Sequence, residues 1–165
     1  MTNEVLSFLA KVKEKIGRQG NVLEVGSLNV NGTAKDVFGD ADTYTGIDKR
    51  EGPGVDQVVD GNNLLQAYEP DTFDLVICCE TLEHDPHFWL TVANMREVLK
   101  PGGWLIITCP GTAFHRHNFP GDYYRFFDDA FQVFFEGFEE VTIEETPPGK
   151  ADQTTAIYGA GRKHG

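Results

Sequence analysis

The sequence predicts an α/β protein with a mostly parallel sheet, and three observations predict it. Short, continuous apolar runs such as VLEV, FDLVICC and WLIITC have the length of strands and lack the alternation of a half-exposed strand, as strands covered on both faces do. Segments with helical apolar spacing lie between them, which is the pattern of helices crossing from strand to strand. The first run passes directly into a polar loop containing glycine, VLEVGSLNVNG at residues 22–32, and the second ends on a carboxylate, Asp48, which stands 22 residues after Gly26.

Taken in chain order, residues 2–16 read as an amphipathic helix. Val5, Phe8, Leu9, Val12 and Ile16 recur at helical spacing, and Gly17 and Gly20 end it. A strand over Asn21–Val25 and another over 43–47 flank a short helix that starts at Gly32 or Thr33 and ends at Phe38. Further strands are expected at 55–59 and Phe73–Cys79. A helix then starts with Asp85 as N-cap and Pro86 in its first turn, carries Phe88, Val92, Met95 and Leu99 on one face, and stops at LKPGG. A strand at 104–109 follows, then a helix at 128–136 with Phe131, Phe134 and Phe135 inward and Gly137 as its stop. Strands at Phe138–Glu145 and 154–159 bring the count to seven. No repeat, low-complexity tract or linker divides the chain, so residues 1–165 are expected to form a single domain large enough for a proper core.

Bulk composition excludes several functions. The formal charge of −12, from 14 basic and 26 acidic residues, repels a phosphate backbone, and no basic patch offsets it. Free nucleic acid is therefore not an expected partner. No apolar run has the length of a membrane span, and the N-terminal stretch mixes charged and apolar residues without the order of a signal peptide, so the expected compartment is the cytoplasm. The three cysteines, Cys78, Cys79 and Cys109, lie in apolar strand-like surroundings with no paired spacing, which suits buried thiols rather than disulfides. His84, Asp85, His87, His115 and His117 match no metal-ligand spacing, so no metal is expected. Oligomeric state is not legible.

In open α/β sheets, ligands sit beyond the carboxyl ends of the strands. A glycine there lets the backbone approach a ligand closely, and a carboxylate at a strand tip can accept both ribose hydroxyls. Asp48 and Asp60 are two such tip residues. Either alone is most often a turn residue, whereas two around one loop favour a nucleoside ligand. A nicotinamide fingerprint would need glycines where Leu28 and Asn31 stand, so it fails.

Four segments, VLEVGSLNVNG, YTGIDKREGPGVDQVVDGNNL, FDLVICCETLEHDPHFWLTVANMREVLKPGGWLIITCPG and HRHNFPGDYYRFFDDAF, together resemble the class I S-adenosylmethionine-dependent methyltransferases of the small, stand-alone kind, over roughly residues 20–138. The resemblance implies a Rossmann-like fold, a seven-stranded sheet whose last strand is antiparallel, and helices on both faces. It implies S-adenosylmethionine as cofactor and S-adenosylhomocysteine as product. By position, Glu24 and Gly26 match the acid and first glycine of the cofactor loop, and the backbone through Ser27 and Asn29 passes the methionine moiety. Gly32 opens the next helix. Asp48, with Lys49 beside it, matches the ribose site; Asp60, Gly61 and Asn62 match the adenine site; Glu80 lies where the methionine amino group is held. The loop departs from the family pattern where Leu28 and Val30 take the places of glycines.

The implied reaction is methyl transfer to a small-molecule acceptor, with a hydroxyl group as the acceptor expected here. A hydroxyl acceptor must lose a proton, and His84, just past the fourth strand, is the candidate base; local hydrogen bonding at a helix start is the competing role. The segment 111–125, with His115, His117, Tyr123, Tyr124 and Arg125, is the candidate acceptor wall, or else a packing lid. The tetrad DPHF resembles the signature of amino-methylating nucleic-acid enzymes, but ETLEH separates it from the strand. A non-catalytic S-adenosylmethionine-binding module or partner subunit is the alternative function.

Overall fold

A computed structural model describes residues 1–117, 120–146 and 156–165. Seven strands among these residues form one sheet in the order β3-β2-β1-β4-β5-β7-β6. They are β1 (Asn21–Val25), β2 (Thr43–Asp48), β3 (Gln57–Val58), β4 (Phe73–Cys79), β5 (Leu99–Pro110), β6 (Phe138–Glu145) and β7 (Ala156–Lys163). Pairings β1–β2, β1–β4, β2–β3 and β4–β5 are parallel, whereas β7 runs antiparallel to both β5 and β6. The last strand is thus the reversed one, as expected. Of the strand expected at 154–159, Thr154 and Thr155 lie outside the described residues.

Alternation along the central strands divides the core in two. On one face Val22, Leu75, Ile77 and Ile106 pack with Val5, Phe8, Leu9 and Val12 of α1 (Asn3–Ile16) and with Phe38 of α2 (Lys35–Phe38). On the other, Leu23, Val76, Cys78, Leu105 and Ile107 pack with Leu64 of α3 (Leu64–Ala67), with Val92, Met95 and Val98 of α4 (Phe88–Val98), and with Phe131 and Phe134 of α5 (Asp128–Phe134). Helices therefore cover both faces, and strand residues are buried whichever way they point, which explains the continuous apolar runs. The three free cysteines are buried in these layers.

Several boundaries differ from the sequence-based expectation. Thr2 is the N-cap of α1, its hydroxyl accepting from the Val5 amide. α2 is only four residues long because 29–34 form a loop held by side-chain contacts. β3 shrinks to two residues at the sheet edge, where one neighbour is missing. α3 is an addition. Asp85 does not cap α4: residues Leu82–His84 form a 3₁₀ turn, and α4 starts three residues after Asp85. The Asp85 carboxylate instead accepts from the His87 amide and from the side chains of Thr91 and Asn62. Leu99 belongs to β5, which starts earlier than expected, since the chain passes from α4 directly into pairing with Phe73. α5 ends at Phe134, two residues short.

These elements bring the carboxyl ends of β1, β2, β4 and β5 to one rim, and the connections leaving that rim surround a cavity.

Candidate active site

The cavity has a volume of about 570 Å³, within the range of small-ligand pockets. One wall is the loop after β1. Gly26 has φ of +79°, and the amides of Gly26 and Ser27 both donate to the Ile47 carbonyl at 2.8 Å, which folds the loop sharply over the neighbouring strand. A Cβ at Gly26 would fall inside the Thr81 side chain, so this position needs glycine for both conformation and space. Ser27 is 2% exposed, and its Oγ has no hydrogen-bond partner among the described residues.

Glu24 is 3% exposed near the end of β1. Its carboxylate accepts from the Thr33 hydroxyl (3.0 Å), the Ala34 amide (3.0 Å) and the Tyr44 hydroxyl (2.8 Å). Burial raises its pKa above the ordinary carboxylate value, and these bonds oppose the rise. Glu24 touches the cavity, but three protein donors occupy it; it ties the far end of the loop to β1 and β2. Asn29, also expected at the cofactor, is not part of the cavity wall. Its Oδ1 accepts from the Gly32 amide at 2.9 Å and shapes the loop, while Leu28, Val30, Asn31 and Gly32 line the wall.

The next two strand tips bring the expected acids to the same rim. Asp48 ends β2 with its side chain 10% exposed, and its Oδ1 accepts from the Arg50 amide at 2.9 Å. Lys49 and Arg50 follow it along the wall. Asp60 accepts from the Asn62 amide at 2.9 Å and starts the 3₁₀ turn Gly61–Asn63. That turn docks on α4: the Asn94 side-chain amide donates to the Gly61 carbonyl, and the Asn62 side-chain amide donates to Asp85 and Thr91. Gly61 is required there, since a Cβ would meet the Thr91 side chain at 2.8 Å.

The opposite wall is built by the residues after β4. Glu80 takes the left-handed conformation, φ +49°, a strained choice for a non-glycine residue. Its carboxylate accepts from the Thr108 hydroxyl of β5 at 3.0 Å, and burial raises its pKa. Glu83 is wholly buried and neither of its oxygens has a hydrogen-bond partner among the described residues. Burial, with Glu80 next, pushes its pKa well above the usual carboxylate range. His84 Nε2 stands 3.4 Å and His117 Nε2 3.7 Å from Glu83 Oε1. His84 Nδ1 contacts the Gly121 carbonyl, which sets the proton on Nδ1 and leaves a lone pair on Nε2. Burial lowers the His84 pKa. The sequence pointed to His84 and His117 but not to Glu83, whose signal was a carboxylate directly before a site histidine.

Of the segment 111–125, Asn118 and Phe119 lie outside the described residues; the rest folds back over this corner. The Tyr123 amide donates to the Glu83 carbonyl at 2.8 Å, and the Tyr124 hydroxyl to the Pro86 carbonyl at 3.0 Å. Arg125, proposed from sequence to meet the acceptor, is committed elsewhere. Its guanidinium forms a two-pronged pair with Asp122 and donates to the carbonyls of Phe114 and His115. Arg125 holds the Asp122 carboxyl far below its ordinary value. Of the five residues named for the acceptor wall, His117 lines the cavity, joined by Phe114; His115, Tyr123, Tyr124 and Arg125 do not. Arg125 instead fastens the loop that delivers His117.

The family described as "Methyltransferase domain" matches residues 1–137. A ubiquinone biosynthesis O-methyltransferase from Burkholderia cenocepacia is 30% identical over 99 residues, covering 56% of this chain and 41% of that protein. The chain thus spans less than half the length of the curated relatives it matches. Two solved structures share the fold. The N-methyltransferase NodS from Bradyrhizobium japonicum, in complex with S-adenosylhomocysteine, aligns with a TM-score of 0.73 at 18% identity, over 97% of this chain and 86% of that one. A 1,6-didemethyltoxoflavin-N1-methyltransferase from Burkholderia thailandensis, with its substrate and S-adenosylhomocysteine bound, aligns with a TM-score of 0.70 at 18% identity, over 95% and 76%.

Proposed function

The chain belongs to the methyltransferase-domain family, with S-adenosylmethionine as its cofactor, and from that premise we propose that it methylates a hydroxyl group of a small molecule seated against the Glu80–His84–His117 wall. The single observation behind this reading is the two-sided cavity, with a glycine loop and two strand-tip acids on one side and a polar, histidine-bearing corner on the other.

The residues present fit the cofactor. A buried Ser27 hydroxyl lacks a protein partner, Gly26 keeps the loop free of a side chain, and Asp48 and Asp60 close the rim where an adenosine with its ribose diol would lie. In this reading the Gly26–Ser27 backbone runs beside the methionine moiety, Asp48 accepts from the ribose, and Asp60 with Asn62 addresses the adenine. Glu80 offers a negative charge to the methionine ammonium. When bound, S-adenosylmethionine supplies a methyl group activated by the positive sulfur beside it.

The protein's share of the work is alignment and removal of a proton. Fixing acceptor and methyl group in line can contribute about 7–11 kcal/mol. Phe114 and His117 border the acceptor position, on a loop pinned by Arg125. His84 turns the Nε2 lone pair toward that corner, the requirement of a general base. Glu83 Oε1 stands 3.4 Å from that nitrogen.

Incubation with methyl-labelled S-adenosylmethionine and an extracted metabolite pool tests the proposal. The expected outcome is label in a small molecule, in a linkage that resists amide and amine cleavage as an ether does. Tight S-adenosylhomocysteine binding without any transfer would favour a non-catalytic module instead, and transfer to nitrogen would refute the hydroxyl assignment.

A further inference from the structure

We propose that Glu83, His84 and His117 form a binding site for one divalent transition-metal cation on the acceptor wall of the cavity. The catalytic use of that cation rests on the methyl-transfer reading; its binding does not.

Three ligand atoms converge. One carboxylate oxygen of Glu83 and one ring nitrogen each of His84 and His117 all lie within 4.8 Å of one another. The separations from Glu83 Oε1, 3.4 Å to His84 and 3.7 Å to His117, suit neighbouring ligands about a cation with bonds of roughly 2.0–2.2 Å. The set of two imidazoles and one carboxylate suits manganese, iron, cobalt or zinc, while thiols play no part.

Glu83 supplies the independent observation. Its side chain is wholly buried, faces this cluster, and has no hydrogen-bond donor on either oxygen among the described residues. A buried carboxylate without a donor is costly, and the price is removed by a cation held between it and the two imidazoles. The outer contacts agree. The Gly121 carbonyl occupies Nδ1 of His84, so Nε2 is the ligating nitrogen. Asp122 stands 3.6 Å from Nδ1 of His117 and is itself gripped by Arg125. A ligating histidine commonly has its second nitrogen oriented by a carbonyl or a carboxylate; the Gly121 carbonyl does this for His84, while Asp122 holds His117 by accepting from its backbone amide at 2.7 Å.

Three protein ligands leave open positions, and both histidines face the cavity. A cation there polarises the acceptor hydroxyl, so its proton leaves to solvent without a dedicated base. The oxygen–carbon bond then forms as the carbon–sulfur bond breaks, and the bonding pair stays on sulfur, which becomes a neutral thioether. In this scheme His84 is a ligand rather than the base.

The test uses protein stripped with a chelator and titrated with MnCl₂, free Mn²⁺ being read by electron paramagnetic resonance, with ZnCl₂ followed by calorimetry. One ion per chain is expected. His117→Ala and Glu83→Gln should each weaken binding at least about tenfold, and Asp122→Asn roughly 10- to 100-fold, while S-adenosylhomocysteine affinity holds within about threefold. Should Glu83→Gln fail to fold, His117→Ala on the exposed loop decides. Absence of Mn²⁺ and Zn²⁺ binding, or binding that survives His117→Ala, overturns the site. S-adenosylhomocysteine binding without metal binding would sink the cation alone; metal binding without S-adenosylhomocysteine binding would sink the methyl-transfer reading and leave the cation site standing.

Discussion

Replacing Asp48 by asparagine separates the charge of the β2 tip from its shape. Asp48 is the last residue of β2, its side chain is 10% exposed, and the Arg50 amide and Nε approach its Oδ1 at 2.9 and 3.5 Å. Asparagine can keep one carbonyl oxygen for the Arg50 amide, so the turn after β2 stays formed. It turns the second oxygen into a donor and removes the charge that a ribose diol would meet. A hydrogen bond to a charged group is worth about 1.5–3 kcal/mol, which corresponds to a loss of roughly 10- to 150-fold in affinity. Calorimetric titration with S-adenosylhomocysteine reads this directly. The melting temperature should move by less than about 2 °C, because the substitution buries no new group and opens no void. An affinity within threefold of the parent protein, with the fold intact, would refute the placement of the ribose at Asp48.

Two further substitutions probe how the walls are held. Arg125→Met removes both prongs of the Asp122 pair and three carbonyl contacts, and should cost about 3 kcal/mol by urea denaturation, since it leaves the almost fully buried Asp122 uncompensated; an unchanged midpoint would mean that the loop is held by other contacts. Glu24→Gln tests the buried acid at the loop root. Its folded pKa is raised, so its stabilising contribution is complete below the usual value of 4.5 and fades as the pH rises through the folded value. The stability lost in Glu24→Gln should therefore be larger near pH 4 than near pH 8, measured by denaturation at the two pH values; a difference that grows with pH would reverse the sign and show that the bonds from Thr33, Ala34 and Tyr44 outweigh burial.

The fold was legible because the strands announce themselves twice. Val22 and Leu23, or Val76 and Ile77, point to opposite faces yet are all buried, so each strand is a solid apolar run bounded by polar residues. α1 was equally plain, since one face meets the core and the other meets water. The short elements were hidden for the converse reason. β3 pairs by two residues at an edge and both are exposed, so neither length nor burial marks it. Asp85 fits an N-cap by residue type, but the Leu82–His84 turn intervenes and the side chains of Asn62 and Thr91 claim its carboxylate, a long-range contact that no local pattern encodes.

The same distinction governs the site. The rim proposed for the cofactor lies at strand ends, and strand ends can be counted along the chain, so Gly26, Asp48 and Asp60 could be named before any coordinates. The corner proposed for the acceptor depends on a loop returning across the sheet. His84 and His117 are separated by thirty-odd residues of β5, α4 and connection, and their rings sit 4.8 Å apart only because Arg125, Asp122, Tyr123 and Tyr124 fasten that loop to the turn after β4. Arg125 read as part of an acceptor wall because its residue type suits both tasks. The structure assigns its charge to Asp122, and that choice has a consequence: the acidic partner it neutralises is the one that stands behind His117. Arg125 therefore acts on the place of His117 through a carboxylate that accepts from the His117 backbone amide. Sequence reading finds the groups that can react, whereas their mutual orientation is set by ion pairs and carbonyl contacts between segments far apart in the chain.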